Sequence, residues 1–279
     1  MLVKTSKDDN SVTQGIYELN DSCDDGVHVQ LAYATGLIQE LAEECRSVQT
    51  SSGVSGGLWI TYDGEYLKVS HDATTASSRP APIINTPVDL TTFFDSSEPV
   101  YIGFTSGTYW EGNNHEVWAF SFYQDLPTLS PSELPSPEPP AHVTEIDYST
   151  GFCQLDPSSS FQLNGNTLPD SPSYLTSENC ALRLTDVENS YQAASAFLPI
   201  SITNNFVFSA FIEYRIPSTA PDGMTFVMHQ DPLGEFAYGS YGAFQGVYED
   251  AYDETGNGRP GIKPALVVEM DKCKSAEII

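Results

Sequence analysis

Apolar and polar residues alternate with a period of two in several segments of the chain. In the clearest segment every second side chain from Phe206 to Ile216 is apolar, and Ser209 lies among the positions between them. The same alternation occurs around Ile60 and around Trp118. Because successive side chains of a strand point to opposite faces of a sheet, this period predicts strands with one buried face.

Turn-forming residues separate these segments. They include Asp63-Gly64, Pro221-Asp222-Gly223 and Gly256-Asn257-Gly258, which adopt turn conformations at low cost. One short stripe of apolar residues between Gly36 and Arg46 has helical spacing and predicts a single helix. The remaining pattern predicts an all-β protein with two packed antiparallel sheets.

A Pro- and Ser-rich stretch divides the chain. It runs from Leu126 to Pro140 without an aromatic residue and predicts an extended spacer. We therefore assign an N-terminal segment at 1–26, a first half-sandwich at 27–123, a linker at 124–151 and a second half at 152–279. Neither half supplies enough strands to close a core. We expect the halves to complete each other; the alternative is a fragment of tandem repeats, cut within a domain at both ends.

Composition and charge limit the classes of partner that the protein is expected to bind. The chain has 11 basic and 38 acidic residues and a net charge of −27, which repels phosphate backbones and anionic bilayers, so no nucleic-acid partner is expected. No run of 18 apolar residues occurs, so no membrane span is expected. The first residues lack an apolar signal core, and any secretion signal would lie outside this chain.

The five cysteines show neither a CxxC pair nor zinc-type spacing with His. Cys153 with Cys180, and Cys23 with Cys45, are candidate disulfides if the protein is exported. Free buried cysteines are the alternative.

Six segments together resemble the legume, or L-type, lectin family. In the first half these are Gly57 to Gly64, Tyr101 to Thr105 and Trp118 to Phe122; in the second half they are the strand from Phe206, Asp222 to Val227 and Leu266 to Asp271. The first half resembles the end of a lectin domain and the second half its beginning. The resemblance implies a concanavalin A-like, two-sheet antiparallel jelly-roll sandwich with its halves in permuted order. It also implies glycan or glycoprotein partners and an extracellular or secretory location.

Glu269 and Asp271 occupy alternate positions of one predicted strand and therefore share a face. Two neighbouring carboxylates repel each other, and a divalent cation relieves that repulsion. The alternative is that both face solvent. The lectin resemblance implies that this pair holds Ca²⁺ and a transition metal such as Mn²⁺.

The residues that directly follow this strand, 272–277, supply no Asn, Asp or His, although the family takes its remaining metal ligands from that segment. The other end of the chain supplies them instead. The sequence from Asp25 to Val29 resembles the family's approach to its metal-binding His, so Asp24, Asp25 and His28 are the predicted ligands. A structural role for a lone His at the start of a strand is the alternative.

The turn at Pro221-Asp222-Gly223 resembles the Ala-Asp-Gly loop of these lectins. The resemblance implies that the carboxylate of Asp222 binds two sugar hydroxyls; an ordinary turn is the alternative. The Gly- and Tyr-rich loop from Tyr238 to Gly242 predicts contacts from the backbone of Gly239 and Gly242 to a saccharide, and a surface loop is its alternative.

The loop from Gly107 to His115 corresponds to a lectin loop that lines the sugar pocket. Tyr109 or Trp110 is predicted to stack on the apolar face of a pyranose ring. Asn113, or its neighbour Asn114, is predicted to bond hydroxyls.

Retaining glycoside hydrolases with the same sandwich are the main alternative class. They carry a second catalytic acid shortly after the Glu-x-Asp pair, where this chain has Cys273 and Lys274. We therefore predict a metal-assisted glycan-binding protein that is not an enzyme. A third possibility is an adhesion module whose metal and sugar sites have decayed, and the sequence leaves open whether the protein forms oligomers.

Overall fold

The structure is a computed structural model that describes residues 26–32, 38–44, 54–72, 79–109, 112–125, 144–152, 161–165, 174–175, 180–200, 207–216, 223–242, 245–248 and 261–271. These residues form two antiparallel sheets packed face to face. The architecture is the predicted all-β sandwich, and it is consistent with a concanavalin A-like fold. Within these ranges no helix is long and apolar enough to cross a membrane.

The strands of the first half are β1 (Gly26–Ala32), β2 (Ile38–Glu44), β3 (Val54–Tyr62), β4 (Tyr66–Asp72), β5 (Ile84–Pro87), β6 (Val100–Gly107) and β7 (Glu116–Asp125). A one-turn helix, α1 (Leu90–Phe93), precedes β6. The later strands are β8 (Thr144–Tyr148), β9 (Gln162–Gly165), β10 (Tyr174–Leu175), β11 (Leu182–Arg183), β12 (Ala193–Ile200), β13 (Val207–Ile216), β14 (Met224–His229) and β15 (Ala265–Asp271). A 3₁₀ turn covers Gly234–Phe236.

The two halves of the chain interleave in both sheets. Sheet A has the order β2-β1-β15-β14-β6-β12-β9, and sheet B has the order β10-β11-β7-β13-β3-β4-β5, with β8 also paired to β7. In sheet A, β6 of the first half lies between β14 and β12 of the second; in sheet B, β13 lies between β7 and β3. The halves therefore complete each other within one chain, as expected from their strand content.

The helix predicted between Gly36 and Arg46 is wrong. Residues Ile38–Glu44 form β2, which pairs antiparallel with β1 at the edge of sheet A. Leu41 and Ala42 pack against the core, whereas Gln39 is exposed. Pairing with a neighbouring strand overrides the local helical propensity, which is a weak determinant on its own.

The spacer between strands is shorter than the predicted linker at 124–151. Strand β7 ends at Asp125 and β8 begins at Thr144, so the connection between them is 126–143. β8 pairs back onto β7 over Phe120–Gln124. Phe152 follows β8 and is buried in the core.

Cys180 is disulfide-bonded. Its predicted partner Cys153 lies outside the described residues, as do Cys23 and Cys45. The carbonyl of Cys180 accepts a hydrogen bond from the amide of Phe152 at 2.6 Å, so the residue before Cys153 in the sequence lies beside Cys180.

The main core lies between the sheets and is centred on aromatic rings from both halves. Phe104 and Phe120 meet edge to face with centroids 5.0 Å apart, and Phe226 lies 6.2 Å from Phe104. All three are completely buried. Such pairs add about 0.5–1.5 kcal/mol beyond the burial of their area, so the core itself ties the halves together.

A second buried cluster covers the outer face of sheet A. Phe197, Val227 and Val267 of the sheet pack under Ala237 and Val247 of the segment that follows the 3₁₀ turn. Every side chain of β14 is consequently buried. Burial on both faces explains why Met224–His229 does not show the clean alternation of β13.

This interleaving predicts how a nicked protein behaves. A protease site inserted in the 126–143 connection should be cut without dissociation, because seven strand pairings join the halves on either side of it. After purification, gel filtration of the cut protein should give one peak that contains both fragments.

The separated fragments provide the control. After separation in urea, each fragment alone should lack a cooperative unfolding transition, and mixing should restore it. A half that shows a cooperative transition by itself would contradict the interleaved fold.

Candidate functional site

A row of polar positions crosses the outer face of sheet A. Strand register places His28, Glu269, Thr225, Thr105, Ser195 and Asn164 opposite one another on six neighbouring strands. Each member comes from a strand whose alternate positions lie in the main core. The row therefore lies on the face of sheet A that points away from the main core.

Glu269 is the acidic member of the row and is only 3% exposed. Its Oε2 accepts a hydrogen bond from Nε2 of Gln30 at 3.0 Å. The Oε1 of Gln30 in turn accepts from the hydroxyl of Tyr248 at 3.0 Å. Burial of a carboxylate is costly, and this chain of bonds orients it.

The fit of this region to a metal is partial. His28 is the direct register partner of Glu269 on the neighbouring strand. These two predicted metal ligands, from opposite ends of the chain, are therefore neighbours in the fold. Asp24 and Asp25 lie outside the described residues, and Asp271 is described only as the last position of β15. Among the residues described, no group of three or more His, Cys, Asp or Glu side chains could hold a metal.

The other members of the row anchor the segment that covers sheet A. The hydroxyls of Thr105 and Thr225 lie 2.7 Å apart, and Thr105 donates to the carbonyl of Gln245 at 2.6 Å. Ser195 donates to the carbonyl of Ala237 at 2.7 Å. The row therefore fixes the loop that contains the predicted sugar-contacting glycines.

Gly239 and Gly242 are both buried in this loop. A Cβ on Gly239 would lie 2.5 Å from the backbone of Val247, so only glycine fits there. Gly242 has φ +65°, which favours glycine. Their amides donate to the carbonyls of Gly246 and Thr108, at 2.6 and 3.2 Å. The two glycines shape the loop, and their amides bond within the protein.

Three tyrosines meet beside this loop. The rings of Tyr109 and Tyr241 are nearly parallel, with centroids 6.1 Å apart, and Tyr191 meets both edge to face at 5.3 and 5.5 Å. Tyr109 is 39% exposed. A Cβ on Gly242 would lie 3.2 Å from Tyr109 Cδ2. This tyrosine cluster is an exposed aromatic surface next to a glycine loop.

Asp222 and Trp110 lie outside the described residues, but their neighbours do not. The carbonyl of Gly223 accepts a hydrogen bond from Ser106 Oγ at 3.0 Å, and Ser106 is the register partner of Met224. Ser106 lies three residues before Tyr109. The end of the Asp222 turn and the tyrosine cluster are therefore at the same end of sheet A.

Asn113 is 1% exposed. Its side-chain Nδ2 lies 3.2 Å from Nε2 of His115, and its backbone carbonyl accepts a hydrogen bond from the hydroxyl of Thr185 at 2.7 Å. Nδ1 of His115 lies 2.6 Å from Ser106 Oγ and 2.8 Å from Thr185 Oγ1. Because both hydroxyls donate to carbonyls, they accept from a proton on Nδ1, which leaves Nε2 to accept from Asn113. Asn113 thus belongs to a buried network.

This buried network links two predicted sugar loops. Ser106 bonds both to His115 and to the carbonyl of Gly223, which follows Asp222 in the sequence. Thr185 bonds both to His115 and to the carbonyl of Asn113, in the loop after Tyr109. Sequence reasoning missed His115, Thr185 and Tyr191. The bond between His115 and Thr185 joins positions 70 residues apart, and nothing in the local pattern marks the three residues apart from the turn residues Asn189 and Ser190 before Tyr191.

His229 lies on the same outer face and packs against the second buried cluster. Its ring stacks on Tyr101 at 5.4 Å and meets Phe197 edge to face at 4.3 Å. Nδ1 accepts from the amide of Asp231 at 3.1 Å, and among the residues that the structure describes Nε2 has no hydrogen-bond partner. Burial lowers the pKa of His229 to about 3, so this histidine is a neutral packing residue.

The comparisons add no family. The chain matches no protein-family model, and no curated protein matches it.

The buried His229 predicts a pH-dependent stability. Between its folded pKa of about 3 and its unfolded value of 6.5, the unfolded chain binds a proton that the folded chain does not, so stability falls as pH falls below about 6.5. His229→Phe removes this linkage while keeping a ring. Urea denaturation at about pH 7.5 and pH 5.0 should show the variant gaining about 2 kcal/mol relative to wild type at the lower pH. Parallel pH profiles would contradict this environment for His229.

Proposed function

We propose that this protein is an L-type lectin-like protein, with its lectin halves in permuted order, that binds glycans non-covalently. The observation that carries the proposal is the exposed tyrosine cluster beside Gly242, at the end of sheet A where Gly223, the residue after Asp222, accepts a hydrogen bond from Ser106 of β6. Residues predicted from two distant loops meet there. The partners are glycans or glycoproteins.

Tyr109 supplies the apolar contact. Its ring is held on two sides by Tyr191 and Tyr241 and remains 39% exposed. Two such contacts restrict the ring to one orientation before the ligand arrives, which lowers the entropy lost on binding. The exposed face of Tyr109, with the neighbouring Trp110, packs on the apolar face of a pyranose ring.

Asp222 supplies the polar contact. Its carboxylate accepts hydrogen bonds from two sugar hydroxyls. The bond from Ser106 to the carbonyl of Gly223 fixes the backbone that follows Asp222, and the His115 network supports Ser106 from behind. Gly239 and Gly242 shape the loop beside the tyrosine cluster, and Asn113 acts through His115.

Metal assistance is part of the proposal. Glu269, His28 and Asp271, with Asp24 and Asp25, would hold Ca²⁺ and Mn²⁺, whose charge would order the sugar-binding loops. The buried carboxylate of Glu269 and its register pairing with His28 support this assignment. The charge of Glu269, oriented by the neutral amide of Gln30, is what a divalent cation stabilises.

The protein is proposed to act outside the reducing cytosol and not as an enzyme. The disulfide at Cys180 supports an extracellular or secretory location, because disulfides persist in oxidising compartments. The absence of a second acid close after the Glu-x-Asp pair in the sequence supports binding over hydrolysis.

A glycan array tests the sugar site. Tyr109→Ala should weaken binding about tenfold, because an aromatic contact of this kind contributes on the order of 1 kcal/mol, and Asp222→Ala should abolish it. Val187→Ala is the matched control, since Val187 is 58% exposed and is not part of the proposed site. All three variants should melt within a few degrees of wild type.

The array also separates the alternatives. Wild-type binding that survives Asp222→Ala would rule out the assigned site. Release of reducing sugar from bound glycans would identify a glycoside hydrolase, and silence across the array would identify an adhesion module without sugar binding.

Metal removal tests the second part of the proposal. Treatment with EDTA should lower both the melting temperature and the glycan affinity of the wild type, and Ca²⁺ should restore them. Glu269→Gln should lack the Ca²⁺-dependent rise in melting temperature, because the amide has no charge to offer the cation. Glu235→Gln, at a half-buried position of the 3₁₀ turn, should keep that rise. Equal melting temperatures of the wild type in EDTA and Ca²⁺ would contradict metal assistance.

A further inference from the structure

The outer face of sheet B carries an aromatic ledge formed by Trp59 and Phe211. The two residues are register partners on β3 and β13. Their ring centroids are 5.0 Å apart, with the planes tilted by 39°. Both side chains are half-buried, so the rings pack against each other and still present area to solvent.

Gly57 shapes this ledge. A Cβ at that position would lie 2.7 Å from Trp59 Cη2 and 3.2 Å from Phe211 Cε2. The missing side chain lets the indole lie along its own strand, over the backbone of Gly57. The ledge therefore presents a ring face to solvent, and any larger residue at 57 would tip the indole away from the sheet.

Hydrogen-bond donors line one side of the ledge. Ser70 is the register partner of Trp59 on β4. Nε of Arg79 donates to Ser70 Oγ at 3.3 Å, and Nη2 donates to Thr61 Oγ1 at 3.0 Å. A guanidinium has five N–H groups, so further donors of this exposed residue remain for a ligand. The hydroxyls hold Arg79 in place without neutralising it.

Carboxylates line another side. Glu213 and Asp72 are the register partners of Gly57 on β13 and β4, and both therefore share the outer face with Trp59. An anionic ligand would meet these two acids and the net charge of −27. A cationic ligand would meet Arg79. A neutral ring that carries hydroxyls suits both sides, because hydroxyls donate to carboxylates and accept from guanidinium.

The two sheets differ in what covers them. In the described part of the chain, one buried apolar cluster lies between the sheets and the other covers the outer face of sheet A. Neither cluster includes Trp59 or Phe211. The ledge is thus an aromatic surface on the opposite side of the sandwich from the loop that covers sheet A.

We propose that the outer face of sheet B is a second saccharide-binding surface, which takes the pyranose rings of a neutral polysaccharide. The apolar face of one ring packs on Trp59 and Phe211, and hydroxyls of the same or the next ring bond to Arg79 and Glu213. A sheet face with partly exposed, neighbouring aromatic rings suits the repeated rings of a polysaccharide chain. This surface shares no residue with the tyrosine cluster and does not depend on the function proposed for that cluster.

Affinity electrophoresis tests this surface with four soluble probes: hydroxyethylcellulose, xylan, galactomannan and polygalacturonate. At least one neutral polysaccharide should retard the wild-type protein. Trp59→Ala should reduce its retardation about tenfold in apparent affinity, Trp59→Phe should restore part of it, and Arg79→Ala should weaken it. Tyr109→Ala, measured in parallel, separates retardation by this surface from retardation by the tyrosine cluster.

Trp118→Ala is the matched control. Trp118 lies on the same sheet face, but Arg215 covers its ring at 5.6 Å and its Nε1 donates to Glu116. This variant should keep the wild-type retardation. Far-UV circular dichroism and melting curves check that Trp59→Ala is folded. If this variant does not fold, the retardation of Trp59→Phe alone tests the role of the indole.

Three outcomes would overturn the proposal. The first is no retardation of wild type by any neutral probe, the second is retardation by polygalacturonate alone, and the third is retardation that Trp59→Ala and Trp59→Phe leave at the wild-type level. Loss of retardation in Tyr109→Ala with retention in Trp59→Ala would assign all binding to the tyrosine cluster.

Discussion

Pairing between strands of opposite halves is the constraint on which this structure depends. β13 satisfies its backbone hydrogen bonds on one side with β7 and on the other with β3, both from the first half of the chain. β6 stands in the same relation to β14 and β12. Since an unpaired central strand would leave its amides and carbonyls without partners in the interior, neither half is a structure without the other.

That pairing also creates the candidate site. It brings His28 opposite Glu269 although 241 positions separate them in the sequence numbering, and it places Ser106 beside the carbonyl of Gly223. The polar row then anchors the covering segment through Thr105 and Ser195. Sheet A is buried on both faces as a result, and its end carries the loops that we propose to bind glycans.

The two outer faces of the sandwich have different chemistry for the same reason. On the covered face, apolar residues such as Phe197 pack under the covering segment. Hydroxyls such as that of Ser195 donate hydrogen bonds to the backbone of that segment. The outer face of sheet B, where Trp59 and Glu213 are half-buried and Arg79 is exposed, tolerates a mixture of aromatic and charged residues. With a net charge of −27, recognition by neutral hydroxyl-bearing ligands on either face avoids the repulsion that anions would meet.

The sequence by itself determined many of the strands and their buried faces, because the alternation of apolar and polar residues is visible within a single segment. Phe208, Ile212 and Tyr214 are buried as their spacing predicted. The sequence also indicated Tyr109 and Gly242 as candidate site positions, because an aromatic ring and a glycine each suit a small number of structural roles. Tertiary structure alone decided that Ile38–Glu44 is an edge strand, that Asn113 is buried against His115, and that Tyr191 joins Tyr109. Those outcomes depend on which distant segments become neighbours, and chain order carries no local signal of that choice.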